Sequence, residues 1–148
     1  MRHYTSIEES KKLLELGLSA ESADMEYIAQ YGSDDEYFEP AVFKIETEID
    51  SDYPEPVTLP CWSLGALLEV MPLYLYDEDD DFYMMTLDHN SEGWNVSYGG
   101  EDGDDFIRFA DEGGKTPIEA AYNMVVWLFE NDYIKKGEKH DTRTICQF

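Results

Sequence analysis

Basic residues are scarce in this chain. Ten Lys and Arg stand against 34 Asp and Glu, which sets a formal net charge of −24 over 148 residues. A surface that follows phosphates needs clustered cations. The densest positive stretch, IKKGEKHDTR at 134–143, is interrupted by acids. Direct binding to DNA, RNA or an anionic membrane is therefore not expected.

Cysteine and histidine are almost as rare. Cys61 and Cys146 are the only two cysteines. One distant pair gives no disulfide framework, so free thiols in a reducing compartment are expected. The three histidines, His3, His89 and His140, are isolated, and neither CxxC nor HExxH occurs. A transition-metal centre needs such ligands at short spacing. MRHYTSIEES has no apolar h-region, and no apolar run approaches the ~18 residues of a membrane helix. A soluble cytoplasmic protein is the expectation. G-x-S-x-G and the P-loop are missing too. SYGGEDGDD holds glycines without the Lys-Ser/Thr that a phosphate cradle requires, and its acids would repel phosphate. There is no internal repeat.

What is present suffices for a core. Hydrophobic residues make up 43% of the chain and aromatics 14%, which argues against wholesale disorder. The length fits one domain, expected over 1–136, with 137–148 as a tail. Thr5 and Ser6, with Glu8 and Glu9 three residues on, offer alternative capping boxes for a helix over 7–16 that Gly17 stops. Residues 19–32 suit a short helical turn leading into a strand, and SDDEYFEP (33–40) reads as a loop. In VFKIETEI (42–49), Phe43, Ile45, Thr47 and Ile49 alternate with Lys44, Glu46 and Glu48, the period of a half-buried strand. Pro54 and Pro56 then break the pattern.

CWSLGALLEVMP predicts a helix over 63–71, capped by Ser63, with Leu64, Leu67, Leu68 and Met71 on one face. FYMMTLD and WNVSYG flank HNSEG as a hairpin, and DFIRFAD supplies a third strand. In GGKTPIEAAYNMVVWLFENDYI, Thr116 is the N-cap, Pro117 takes the first helical position and Glu119 completes a capping box. The helix over 117–131 buries Ile118, Ala121, Tyr122, Val125, Leu128 and Phe129, and Trp127 on the opposite side needs its own cover. Amphipathic helices and alternating strands call for two-layer burial. The expected fold is α+β: an antiparallel sheet of four or five strands with three helices packed mainly on one face.

Three blocks, ESKKLLELGLSAESADMEY, CWSLGALLEVMP and TPIEAAYNMVVWLFENDYI, cover roughly a third of the chain. They resemble a group of short prophage and mobile-element proteins of gut anaerobes that have no known activity. The resemblance implies a mobile-element setting and an α+β fold, and it brings no site residues.

The acid run YDEDDDF partly matches the EF-hand loop. Asp77, Asp79 and Asp81 fit positions 1, 3 and 5, but Phe82 stands where the sharp turn needs glycine. Only weak, adventitious Ca²⁺ binding at Asp77, Asp79 and Asp81 is left, with no cofactor. Cys61 and His89 would have to be gathered by the fold to form a nucleophilic pair. With so many acids, some carboxylate pair is always available for glycosidase-type chemistry, so that signal carries no weight.

Mimicry of nucleic acid has a magnitude. Duplex DNA carries one charge per ~1.7 Å, so this net charge matches about 40 Å of duplex. A compact domain of this length has a radius of gyration near ~15 Å and a diameter of roughly 40 Å. The acids nevertheless cluster in loops (34–36, 50–55, 77–81, 101–105), as solvated segments do. Eleven Tyr and three Trp fit either of two readings, an interface, where these rings are enriched, or a core in which large rings make up for little aliphatic content. The expected function is a non-enzymatic, acidic interaction protein with a protein partner, a homodimer also being compatible. The alternative is a DNA-mimic inhibitor of a host nucleic-acid-binding protein, and an unrecognised enzyme ranks third.

Overall fold

The computed structural model describes residues 2–29, 38–42, 58–102 and 105–135. In chain order these form α1 (Ile7–Leu16), a 3₁₀ turn (Ala20–Ser22), β1 (Met25–Ala29), β2 (Phe38–Val42), β3 (Thr58–Cys61), α2 (Leu64–Val70), β4 (Tyr74–Tyr76), β5 (Phe82–Asn90), β6 (Gly93–Asp102), β7 (Asp105–Gly114) and α3 (Pro117–Glu130). The fold is α+β. A four-stranded antiparallel meander, β4-β5-β6-β7, is joined by a three-stranded antiparallel sheet, β2-β1-β3.

The helix ends follow local chemistry. Ser6 rather than Thr5 caps α1: its hydroxyl accepts from the Glu9 N–H (3.1 Å), and the Glu9 carboxylate accepts from the Ser6 N–H (2.8 Å). Gly17 ends α1 at φ 106°, where a Cβ would be strained. Thr5 is instead buried beneath α1. Its backbone N–H donates to the Trp62 carbonyl (2.9 Å), its hydroxyl accepts from the Trp62 N–H (3.1 Å), and its carbonyl accepts from the Tyr27 hydroxyl (2.6 Å). Ser63 caps α2 and donates its hydroxyl to Asp24. Thr116 caps α3, but the Glu119 carboxylate reaches one residue past the cap, accepting from the Lys115 N–H (2.8 Å).

Residues 38–40, expected in a loop, begin β2. Their backbone pairs with β1, Phe38 opposite Ala29 and Pro40 opposite Tyr27. Proline is tolerated there because an edge strand is bonded on one side only. β3, the other edge, carries Pro60 opposite Glu26, so both outer strands of this sheet hold a residue that cannot donate. Of the strand expected over 42–49, Val42 closes β2 and the rest lies outside the described residues. The loop expected over 33–37, the prolines at 54 and 56, and the tail expected over 137–148 also lie outside them.

α3 covers one face of the meander. Ile118, Ala121, Val125 and Leu128 are fully buried, together with Ala120 and Met124, against Val96 and Tyr98 of β6, Leu75 of β4 and Ala110 of β7. Leu67 and Met71 add the α2 layer and Leu13 that of α1. Gly114 lets α3 start hard against the end of β7, where a Cβ would fall 2.6 Å from Glu119 Cβ and 2.7 Å from the Ala120 nitrogen. Trp127 gains the cover it needs from Tyr133, stacked at 5.6 Å, and from the edge of Phe109 at 6.3 Å.

One irregularity places the rest. Tyr98 opposes Ala110 but Gly99 opposes Arg108, which leaves Phe109 as an extra residue in β7. Such a bulge resets the alternation of faces. Phe109 and Ala110 both turn toward the core, where Phe109 stacks on Tyr83 at 4.7 Å. Arg108 and Phe106 turn to the other face: Arg108 pairs with Asp111 at 3.1 Å, and Phe106 lies over Gly99.

Candidate functional site

The face of the meander away from α3 carries Met84, Thr86, Ser97, Gly99 and Phe106. Its central part is polar and closed, with the Thr86 and Ser97 hydroxyls bonded at 2.9 Å across the strands. Toward one end it becomes apolar. Six large hydrophobic side chains are exposed among the described residues: Leu73, Tyr76, Phe82, Met84, Phe106 and Ile107. Four of the six line a single cleft of about 520 Å³, together with Tyr74, Asp81, Tyr83, Gly99, Gly100 and Glu101.

Two glycines let the rings pack close to the sheet. A Cβ on Gly99 would lie 2.4 Å from the Phe106 ring, and one on Gly100 would lie 3.0 Å from the Phe82 carbonyl. Phe82 packs edge-on to Tyr74 at 5.7 Å and tilted to Tyr76 at 6.5 Å, which fixes the β4–β5 wall. Phe106 is the most exposed of the six, at 59%. An apolar ring held out at that level is an adhesive surface when its neighbours are apolar too.

The meander also decides the electrostatics. The β4–β5 turn (77–81) and the paired ends of β6 and β7 fall at the same end of the antiparallel sheet, which brings acids far apart in sequence to one cleft. Asp81 and Glu101 are part of its lining. Lys and Arg are missing from both borders among the described residues.

Within the acid run one carboxylate is structural. Asp77 Oδ1 accepts from the Asp79 N–H (2.9 Å) and the Asp81 N–H (3.0 Å), while Oδ2 accepts from the Tyr83 hydroxyl (2.8 Å). Asp80 takes the left-handed conformation, φ 61°, which Asp tolerates better than most residues. The Tyr83 hydroxyl, with the two backbone donors, holds the Asp77 carboxyl below its ordinary range. The Asp77 carboxylate thus closes the turn on the backbone of Asp79 and Asp81, and among the described residues no group of three His, Cys, Asp or Glu is arranged to hold a metal ion.

A mutational contrast follows. Asp77→Ala is expected to lower the melting temperature at pH 7, whereas Glu78→Ala and Asp79→Ala leave it unchanged or raise it by relieving repulsion. The folded-state pKa of Asp77 is depressed, so its contribution is present at neutral pH and is lost as pH falls through that value, below about 4. Thermal melts of the three variants at neutral and strongly acidic pH test this. A uniform effect of all three substitutions would remove the special role of Asp77.

The remaining sequence candidates lie elsewhere. Cys61 is fully buried beside Met25 and Tyr27, with Thr5 as hydrogen-bond partner, and burial pushes its thiol pKa up. A thiol of that kind is a poor nucleophile. His89 belongs to the other sheet and stacks on Trp94 at 4.4 Å. The fold does not join the two. Met84, Gly99 and Phe106 went unassigned in the sequence, although FYMM held a signal: a strand apolar at both parities has two faces to cover.

Chemically the cleft offers apolar walls, two carboxylates and tyrosine rings, and among the described residues its lining holds no Ser, Cys, His or Lys. No described helix is long and apolar enough to cross a membrane. Comparison with protein-family models, curated proteins and solved structures returns no match.

Proposed function

We propose that this chain is a non-enzymatic, acidic interaction protein that docks a protein partner on the outer face of the meander, in the setting of a mobile element. One observation carries the reading: among the described residues, four of the six exposed large hydrophobic side chains converge on one cleft that Asp81 and Glu101 also line. Interfaces concentrate binding energy in a few central apolar anchors and tolerate change in the polar rim around them. Met84 and Phe106 are the anchors, and the acidic turns are the rim.

The test compares anchors with rim. Met84→Ser with Phe106→Ser should weaken capture of the partner at least tenfold, a loss of 1.4 kcal/mol or more. Neutralising Glu78, Asp79 and Asp80 as Gln, Asn and Asn should keep binding within about threefold, less than that tenfold step. The reverse pattern, with the rim essential and the anchors dispensable, would favour the DNA-mimic reading. In that case competition with duplex DNA should fade steeply as salt rises.

A further inference from the structure

We infer that the occupant of this cleft is a basic polypeptide segment in which an apolar side chain stands beside an arginine or lysine. The inference rests on the docking face proposed above and adds the chemistry of what it takes.

Size and charge select the occupant. At about 520 Å³ the cleft falls within the ~300–1,000 Å³ range of pockets that enclose a bound group. Met84 and Phe106 offer apolar walls, the Phe106 ring seated over Gly99, and they give an incoming side chain no charge to pair with. The carboxylates that meet an incoming chain are Asp81 and Glu101 in the lining, with 78–80 just outside. The nearest cation on this face, Arg108, is already paired with Asp111. An acidic segment would bring its own carboxylates against that rim, and a neutral apolar one would leave the rim charges unpaired.

Position matters more than total charge. Exposed charges beyond about 8 Å are screened at physiological ionic strength, so the net charge of the whole chain attracts any cation weakly and everywhere. Only carboxylates lining the cleft itself convert that attraction into a preference for one place. Arginine suits the site especially, because its apolar stem can lie along Met84 while its guanidinium meets Asp81 or Glu101.

The experiment uses the full chain and three labelled nine-residue peptides that alternate Arg with Leu, Arg with Ser, and Glu with Leu. At physiological salt the Arg/Leu peptide should bind at least tenfold more tightly than either of the others and shift the Gly99 and Gly100 amide resonances. Met84→Ser with Phe106→Ser, both exposed and expected to fold, should remove that advantage, and Asp81→Asn with Glu101→Gln should weaken the Arg/Leu peptide alone. Equal binding of Arg/Leu and Arg/Ser would mean charge attraction only, and the inference would fall. Tighter binding of Glu/Leu would overturn it as well. A photo-crosslinking residue at position 84 separates this failure from that of the docking face. Adducts with a neutral or acidic segment of a host protein would keep the face and refute the chemistry, whereas no protein adduct would refute both.

Discussion

Leu128→Ala is expected to destabilise the folded chain by about 2–5 kcal/mol, the cost of a cavity in a core that cannot fully close around it. Leu128 is fully buried in the last turns of α3, among Val125, Met124 and the sheet residues Val96 and Tyr98. Its carbonyl also accepts from the Tyr133 N–H (2.9 Å), which folds the chain back after the helix. Tyr133 in turn stacks on Trp127. A cavity at this point therefore loosens the exit of α3 as well as its face. Urea unfolding of the variant beside Phe106→Ala supplies the contrast, since the exposed ring should cost under about 1 kcal/mol. A loss at Leu128 as small as that would mean that α3 does not seat on the meander.

Trp62→Ala should cost about 3–5 kcal/mol, in the range for removal of a buried aromatic. Trp62 is the largest fully buried side chain. It sits just past the end of β3, where the three-stranded sheet hands over to α2, and its ring joins the main core. Its indole N–H donates to the Ser22 hydroxyl (2.9 Å), and its backbone holds Thr5 on both sides. Trp62→Phe keeps most of the apolar volume and loses the indole hydrogen bond. That change should cost about 1 kcal/mol for the bond, plus whatever the smaller ring leaves empty. If alanine and phenylalanine have the same effect, volume is not what Trp62 contributes.

The helices were legible because their signals are local. Ser6, Ser63 and Thr116 each place a hydroxyl where an unpaired N–H needs one, and Gly17 ends α1 by its freedom at positive φ. The choice between Thr5 and Ser6 was not legible, since it depends on Trp62, 57 residues away. Strand pairing suffers from the same distance. Phe38 to Pro40 carry an acid and a proline, which locally favour a loop, and only the partner strand β1 makes them extended. DFIRFAD promised plain alternation, and the bulge at Phe109 overrides it because β6 and not β7 sets the register.

The candidate site was half visible for that reason. The acid runs and the eleven Tyr and three Trp stood in the composition, but the docking face proposed above rests on Met84 and Phe106 and not on those Tyr and Trp rings. Which rings face outward followed from the parity of β7, and which acids border them followed from the order of the meander. Neither can be read from a single strand. Asp77 looked like its four acidic neighbours, yet it alone accepts three bonds that shape the turn.

The extra residue in β7 also governs how the strand can gain or lose length. Side-chain direction has a period of two, so inserting or deleting one residue in a regular ladder turns everything beyond it inside out. At Phe109 the rule is suspended. Without that residue Arg108 and Ala110 would be consecutive and still opposite Gly99 and Tyr98, and Phe106 would still face out. Deletion of any one residue from 107 to 110 removes the bulge and leaves Phe106 opposite Glu101 on the outer face; only deletion at Phe109 also keeps Arg108 and Ala110 on their present partners. Among chains that share this architecture, single-residue gaps in β7 should therefore fall between Phe106 and Ala110, where the aromatic cleft survives them.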